Sequence, residues 1–352
     1  MNSNQMTNQQ TDVVIITALD KERDAVLRYL DSPQQIQSKN RIVYKSNLPH
    51  DNAESFYQVV LLCPGKMGNV EAGIATTQAI DVWNPNLIIL VGIMGGVENG
   101  DERYLGDLII SEQIVGYEQS KITDIGIERR DEVLRPDYTL FEAAKNFPFN
   151  GKTKVPRPDG KNKLPSIHTG IVASGEKVIA DTQTIPELQS NWSKLIGVEM
   201  ESYGAALAAY KAESRPRFLM VKSICDWANP DKNDKWQDYA ADVAAVFVIN
   251  LLKSKPFISQ ADKHQPQIKK PLHYTGKIKI QFCRHLGADW QDLADYFDIP
   301  AYHCSQFSQG RECQAIWEWL ENRNKLYGLK EALDFLERQD LVELLNVNNK
   351  VS

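Results

Sequence analysis

The sequence predicts an α/β domain built on a mixed or largely parallel sheet, followed by a small all-helical bundle. Three observations carry this prediction. Apolar runs of strand length alternate with helical segments from residue 12 to residue 252, as they do when strands are buried on both faces beneath covering helices. Residues 253–272 then hold Lys, Gln, Ser and three prolines without a continuous apolar face, a composition that suits a linker. Beyond it, large apolar residues recur at three- and four-residue steps, the spacing of one helix face. A chain of 352 residues has room for two such cores.

The elements follow in order. Residues 1–11 are rich in Asn and Gln and lack the basic-then-apolar order of a secretory signal, so a disordered leader is expected. The first domain, 12–252, opens on the strand Val13-Val14-Ile15-Ile16 and a helix over 20–30. Apolar runs place further strands at 59–62, 87–91, 108–111, 168–173 and 218–224, with helices over 70–82 and 200–211. Ala240, Ala241, Ala244, Val248 and Leu251 form the stripe of a last helix over 236–252. A linker over 253–274 leads to a helical domain over 275–348, with helices at 277–286, 290–297, 314–322, 329–338 and 341–345.

Composition narrows the function. With 40 Lys plus Arg against 46 Asp plus Glu, the net charge is −6, which disfavours a protein that neutralises many phosphates of a nucleic acid. The longest apolar runs, 87–97 and 243–252, fall short of the roughly 20 residues of a membrane-spanning helix. No nucleic-acid partner and no membrane span are expected. Five cysteines without a Cys-x-x-Cys pair suit reduced thiols in the cytoplasm. His285, His303, Cys283 and Cys304 fall on different elements without compact spacing, so no metal site is expected. Neither a Walker A sequence nor a dinucleotide fingerprint occurs, and no cofactor is expected.

Candidate site residues cluster after strands, where open α/β sheets bind ligands. Glu22 follows the first strand in Thr17-Ala18-Leu19-Asp20-Lys21-Glu22. It reads either as a carboxylate complementing a helix N-terminus or as a group acting on water. Gly65-Lys66-Met67-Gly68-Asn69 and Gly92-Ile93-Met94-Gly95-Gly96-Val97 read as loops allowing close ligand approach or as ordinary turns. In Val198-Glu199-Met200-Glu201, Glu201 can accept ribose hydroxyls and Met200 can pack on sugar or base, while Glu199 is expected to point elsewhere. Asp226, placed past the strand Val221-Lys222-Ser223-Ile224-Cys225, is the candidate acid for a departing purine, or a cap of the next turn.

Taken together, Ala18-Leu19-Asp20-Lys21-Glu22, Gly65 to Asn69, Gly92 to Val97 with Gly106-Asp107, Ser174-Gly175, Val198 to Glu201 and Ser223-Ile224-Cys225-Asp226 resemble the purine nucleoside phosphorylase and uridine phosphorylase superfamily. Within it they are similar to the methylthioadenosine/S-adenosylhomocysteine nucleosidase branch, over residues 12–252. The resemblance implies a three-layer domain with a mixed central sheet. It implies that Glu22 activates water, Met200 and Glu201 hold the ribose, and Asp226 protonates adenine. It also implies a base pocket from Gly95, Gly96, Ser174, Val178 and Cys225. Cys225 departs from the branch, where serine commonly precedes the acid; loss of that hydroxyl weakens the expected orientation of Asp226. His168 reads as a strand-end structural residue rather than a substrate contact.

Two stretches exceed the nucleosidase core. Residues 117–135 mix both charge signs, and 149–166 carry Lys152, Lys154, Arg157, Lys161 and Lys163 among Gly and Pro. Lys66, Arg129, Lys154 and Arg157 are the candidates for facing a substrate phosphate, against the reading of solvated loops. The C-terminal region resembles death-like, effector-associated adaptor domains of bacterial conflict and signalling proteins, through Phe282, Trp290, Leu293, Ala294, Phe297, Ile316, Trp317 and Trp319. That resemblance implies a partner with a related helical domain and a role in regulated antiviral defence. Dimerisation or higher assembly through the α/β domain is likewise implied. The leading expectation is hydrolysis of the N-glycosidic bond of an adenine nucleoside or nucleotide. The alternatives are phosphorolysis and a non-catalytic purine sensor.

Overall fold

The computed structural model describes residues 11–38, 41–51, 55–98, 102–124, 126–150, 152–254, 257, 274–323 and 325–347. The leader expected at 1–11 lies outside these residues except for its last position, as does most of the linker expected at 253–274. The chain divides into two compact units, at residue 260.

In the first unit the elements run β1 (Val13–Ile16), α1 (Asp20–Leu27), β2 (Gln34–Ser38), β3 (Arg41–Pro49), β4 (Phe56–Leu62), α2 (Asn69–Trp83), β5 (Leu87–Gly96) and β6 (Leu108–Gly116). There follow β7 (Ser120–Thr123), β8 (Gly126–Arg129), β9 (Glu132–Leu134), α3 (Tyr138–Lys145), β10 (Ile167–Ser174), α4 (Thr184–Asn191), β11 (Leu195–Glu199), α5 (Ser202–Lys211), β12 (Arg217–Asp226) and α6 (Gln237–Ser254).

Among the described residues ten strands share one mixed sheet in the order β11-β10-β6-β12-β5-β1-β4-β3-β2, with β9 paired to β6. β1 lies parallel between β4 and β5, all four of its side chains buried. One face packs on α1, α3 and α6 through residues such as Ala25, Phe141, Phe247 and Leu251. The other face packs on α2 and α5 through Ala72, Ala75, Ala205 and Ala209. The small residues let these helices approach the sheet closely, and the result is three layers.

Several features differ from the pattern read in the sequence, which does not include β2, β3, β7, β8, β9, α3, α4 or β11. The strand expected to end at residue 91 continues through its glycines to Gly96, because β11 returns antiparallel to pair Gly197 with Gly96 and Val198 with Gly95. Among the described residues this pairing closes β5, β12, β6, β10 and β11 on one another. The hairpin of β2 and β3 escaped notice because Gln34, Gln35 and Gln37 leave no apolar run.

The second unit is helical: α7 (Gly276–Leu286), α8 (Trp290–Tyr296), α9 (Ala301–Cys304), α10 (Glu312–Asn322), α11 (Leu329–Phe335) and α12 (Gln339–Val347). Its own core holds Phe282, Leu293, Ile316, Trp317, Leu320 and Leu333. Trp317 meets the edges of Tyr274 and Phe282 at centroid distances of 5.5 and 5.1 Å, an arrangement that suits the ring quadrupoles. Arg338 bonds Asp289, the His285 carbonyl and Asp340, joining the end of α7 to the start of α12. No helix among the described residues is long and apolar enough to cross a membrane.

Candidate active site

The carboxyl ends of β1, β5, β11 and β12 converge on a cavity of about 620 Å³ counted to its open mouth. Its lining brings together Glu22, Gly95, Val178, Met200, Glu201, Cys225 and Asp226, seven of the thirteen residues singled out from the sequence.

Glu22 is buried and its oxygens are fixed by main-chain donors. The amides of Ala18 and Leu19 donate to Oε2 at 2.8 and 2.9 Å, and that of Ile93 donates to Oε1 at 2.8 Å. Two of these bonds cap the start of α1, so the helix-end reading and the cavity-lining position hold for the same side chain. Burial pushes its carboxyl pKa up; Lys222 opposes that shift and Glu201 adds to it. Gly92 stands against it, where any Cβ would overlap Oε1. A buried carboxylate raised in this way is suited to take a proton from water.

Lys222, opposite Gly92 in the pairing of β12 with β5, went unnoticed in the sequence because it sits within an apolar strand run. Its ammonium lies 2.6 Å from Glu201 Oε2 and 2.9 Å from Glu199 Oε2, all three side chains buried. The two glutamates hold its pKa above the ordinary lysine value against the effect of burial. Glu199, expected to point elsewhere, lines the same cavity. Its oxygens accept the amides of Glu201 and Ser202 and the Ser202 hydroxyl. Although burial acts in the opposite sense, Lys222 and the neighbouring Ser174 and Ser202 side chains hold its carboxyl below the usual range. The remaining oxygen of Glu201 accepts the Gly68 amide at 3.2 Å. Glu201 is therefore fixed by a cation and an amide, with one face toward the cavity.

Asp226 ends β12. The register slips between Ile224 and Asp226, so Cys225 is the extra residue of a bulge and Asp226 pairs with Gly95. Bulges re-aim side chains at strand ends, and here the bulge accompanies a turn in which Asp226 Oδ1 accepts the Ala228 amide at 2.8 Å. Oδ2 faces Lys232 Nζ at 3.6 Å. The Cys225 thiol lies 3.5 Å from that oxygen and 3.4 Å from the Met94 carbonyl, so its one proton has two acceptors. Burial and the neighbouring Asp226 push the thiol pKa far up.

The other candidates lie elsewhere. Ser174 is not in the lining: its hydroxyl donates to Asn69 Oδ1 and accepts the Tyr203 amide, tying β10 to the starts of α2 and α5. Gly96 is behind the lining, where a side chain would strike Trp227 and Ile224. None of the four basic candidates for a phosphate lines the cavity. Lys66 is exposed beside Met67. Arg129 pairs with Glu187 and donates to the Tyr117 carbonyl. Lys154 is pinned to the corner of α1 and α6, its ammonium on the Arg28 carbonyl and its amide on buried Asp242. Arg157 pairs with Asp159 and stacks on Trp236 and Tyr239. The insertion thus spends these cations on anchoring itself. The cationic side chains of the lining are Lys177 and Lys232, and neither stands out in the sequence; Lys222 is buried behind Glu199 and Glu201.

His168 has the structural place read for it, its ring 2.9 Å from buried Asp107. In the helical unit, His285 bonds the Gln281 carbonyl and Cys304 contacts the Ile299 carbonyl. Among the described residues no group of three or more His, Cys, Asp or Glu side chains could hold a metal ion.

Comparison with known proteins agrees with this architecture. Residues 12–253 match the family model of the phosphorylase superfamily, and residues 276–348 match that of bacterial Death-like domain 3. A 5'-methylthioadenosine/S-adenosylhomocysteine nucleosidase of Shewanella loihica is 29% identical over 203 residues, 55% of this chain and 81% of that protein. An uncharacterised Sinorhizobium fredii protein is 26% identical over 200 residues, 54% of this chain; the chain spans 48% of that relative's length. The Neisseria meningitidis 5'-methylthioadenosine/S-adenosylhomocysteine nucleosidase in complex with methylthio-immucillin-A superposes with a TM-score of 0.56 at 20% identity, covering 69% of this chain and 99% of that one. Futalosine hydrolase of Helicobacter pylori gives a TM-score of 0.54 at 18% identity, covering 69% and 97%.

Proposed function

The chain belongs to the phosphorylase superfamily, and from that premise we propose that it hydrolyses the N-glycosidic bond of an adenine nucleoside or nucleotide, releasing adenine. One observation carries the reading: Glu22, Glu201 and Asp226 line a single cavity, each held by bonds that leave little freedom to its carboxylate. In this mechanism Glu201 accepts the ribose hydroxyls and Met200 packs on the sugar. Asp226 gives a proton or hydrogen bond to the departing purine, and Glu22 takes the proton of the attacking water as positive charge develops on the sugar. The names of the nucleosidase relatives support this class of substrate.

Hydrolysis is favoured over phosphorolysis by charge. The wall near Glu22 carries Glu199 and Glu201 with Lys222 as their shared cation, and a phosphate dianion brought beside these carboxylates would be repelled. Lys177, held by Glu118 at 2.6 Å, and Lys232 stand at positions from which a phosphate on the substrate could be read.

The proposal extends to a cytoplasmic, regulated effector in defence or signalling, supported by the match to bacterial Death-like domain 3, whose partner would carry a related helical domain. Homodimerisation through the α/β domain is supported by an apolar groove between α2 and α5, where Val70 and Ile74 are exposed. The test is turnover of methylthioadenosine, adenosylhomocysteine, adenosine and adenosine phosphates in ¹⁸O-labelled water, with and without phosphate. Label in the sugar product without need of phosphate supports hydrolysis; sugar phosphate formation selects phosphorolysis. Binding without product at any substrate selects a sensor.

A further inference from the structure

In the helical unit Cys283 of α7 and Cys313 of α10 face each other with their sulfurs 2.7 Å apart. This is closer than unbonded sulfurs ordinarily approach and leaves a short path to a bond of about 2.05 Å. Neither cysteine belongs to the candidate active site, which lies in the other unit. We propose that Cys283 and Cys313 form an oxidisable dithiol that takes a peroxide as co-reactant and closes into a disulfide clamping α7 to α10.

The surroundings assign a role to each sulfur. Cys283 is half-buried and within reach of a small oxidant, whereas Cys313 is buried in the core. The hydrogen bond from Cys313 holds the Cys283 thiol below its ordinary pKa, with Lys279 one turn earlier on α7 acting in the same sense. The same contact pushes Cys313 up. Cys283 is therefore the attacking thiolate and Cys313 the resolving thiol. The Cys283 sulfur attacks one peroxide oxygen; the S–O bond forms, the O–O bond breaks and hydroxide leaves, taking a proton to become water. The Cys313 sulfur, losing its proton, then attacks the Cys283 sulfur. The S–S bond forms, the S–O bond breaks and a second water departs. Two thiols lose two electrons and the peroxide gains them.

The bond would span 30 residues of sequence and fix α7 to the helix carrying Trp317. Opening of these helices is then restrained in the oxidised form.

The experiment treats the purified full chain with hydrogen peroxide, traps remaining thiols under denaturing conditions and maps the digest by mass. The proposal expects a cross-linked Cys283–Cys313 peptide, lighter by two hydrogens than its parts and released by dithiothreitol. It also expects amide exchange in α7 and α10 slowed on the order of tenfold or more in the oxidised chain. Cys283→Ala should abolish the cross-link and leave Cys313 reduced. Recovery of both cysteines as trapped thiols, oxidation of Cys283 to a sulfinic acid with Cys313 still free, or a cross-link to another cysteine would overturn it. The wild-type map decides even if the variant fails to fold.

Discussion

The Lys222 ammonium lies 2.6 Å from Glu201 Oε2, with both side chains buried. Glu201 is the carboxylate proposed to hold the ribose, so a substrate-facing group is oriented by a cation from the middle of a sheet strand. Lys222→Met should leave Glu199 and Glu201 as buried uncompensated charges, costing about 3 to 5 kcal/mol of stability. Adding Glu201→Gln should return part of that loss. Chemical denaturation of the single and double variants measures both changes.

Gly92 sets a steric condition on Glu22. A Cβ there would overlap the carboxylate oxygen that accepts the Ile93 amide. Gly92→Ala should lower kcat on the order of a hundredfold or more by displacing the group proposed to act on water. Circular dichroism should show the fold retained, and Gly276→Ala, at a position with open space around it and no positive φ, serves as a contrast for steric crowding.

The acid side of the pH profile follows from Glu22. Burial raises its pKa, and a base must be ionised to accept a proton. Activity should therefore fall as pH drops through a value above the ordinary glutamate pKa of about 4.3. For stability, a raised folded-state pKa makes the contribution of Glu22 present below its unfolded value and lost as pH rises through the folded one. Glu199 is lowered, so its contribution is present above its unfolded value and lost as pH falls through the folded one. The kcat/KM profile of Glu22→Gln, on residual activity, should lose the acid limb.

Cys225 gives Asp226 a weak partner, a thiol at 3.5 Å that also faces the Met94 carbonyl. Cys225→Ser should supply a stronger donor and raise kcat by a few-fold with KM nearly unchanged. A fall in kcat would show that the thiol is itself needed at the purine.

The basic insertion makes a negative prediction. Lys154 is occupied by α1 and Asp242, so Lys154→Met should leave KM for adenosine phosphates within about twofold, since a contact absent from the site contributes no binding. Lys232→Met, at the cavity wall, should raise KM for the phosphates more than for adenosine.

The central strands, the helices α1, α2, α5 and α6 and the helical unit were legible because apolar period and turn residues act locally: β1, β5 and β12 are apolar through most of their length. Glu22 and Asp226 were legible because each follows an apolar strand run, and Glu201 because it stands at the start of the small-residue helix expected over 200–211. What escaped was set by contacts distant in sequence. The continuation of β5 through its glycines depends on β11, about 100 residues later. Lys222 reads as an interruption of an apolar run until Glu199 and Glu201 surround it. The anchoring of Lys154 and Arg157 depends on Asp242, Trp236 and Tyr239, which composition alone does not bring near.

Asp226 and Glu22 are the residues proposed to perform hydrolysis at an adenine N-glycosidic bond. Chromatographic measurement of adenine release from methylthioadenosine, adenosylhomocysteine, adenosine and adenosine phosphates in phosphate-free buffer, by the wild-type chain and by Asp226→Asn, tests it most directly. Adenine is expected from the wild type on at least one substrate, with a fall of kcat by about 10² to 10⁴ in the variant and substrate binding retained. Equal rates in the two proteins, or no adenine from the wild type on any of the four substrates, would contradict it.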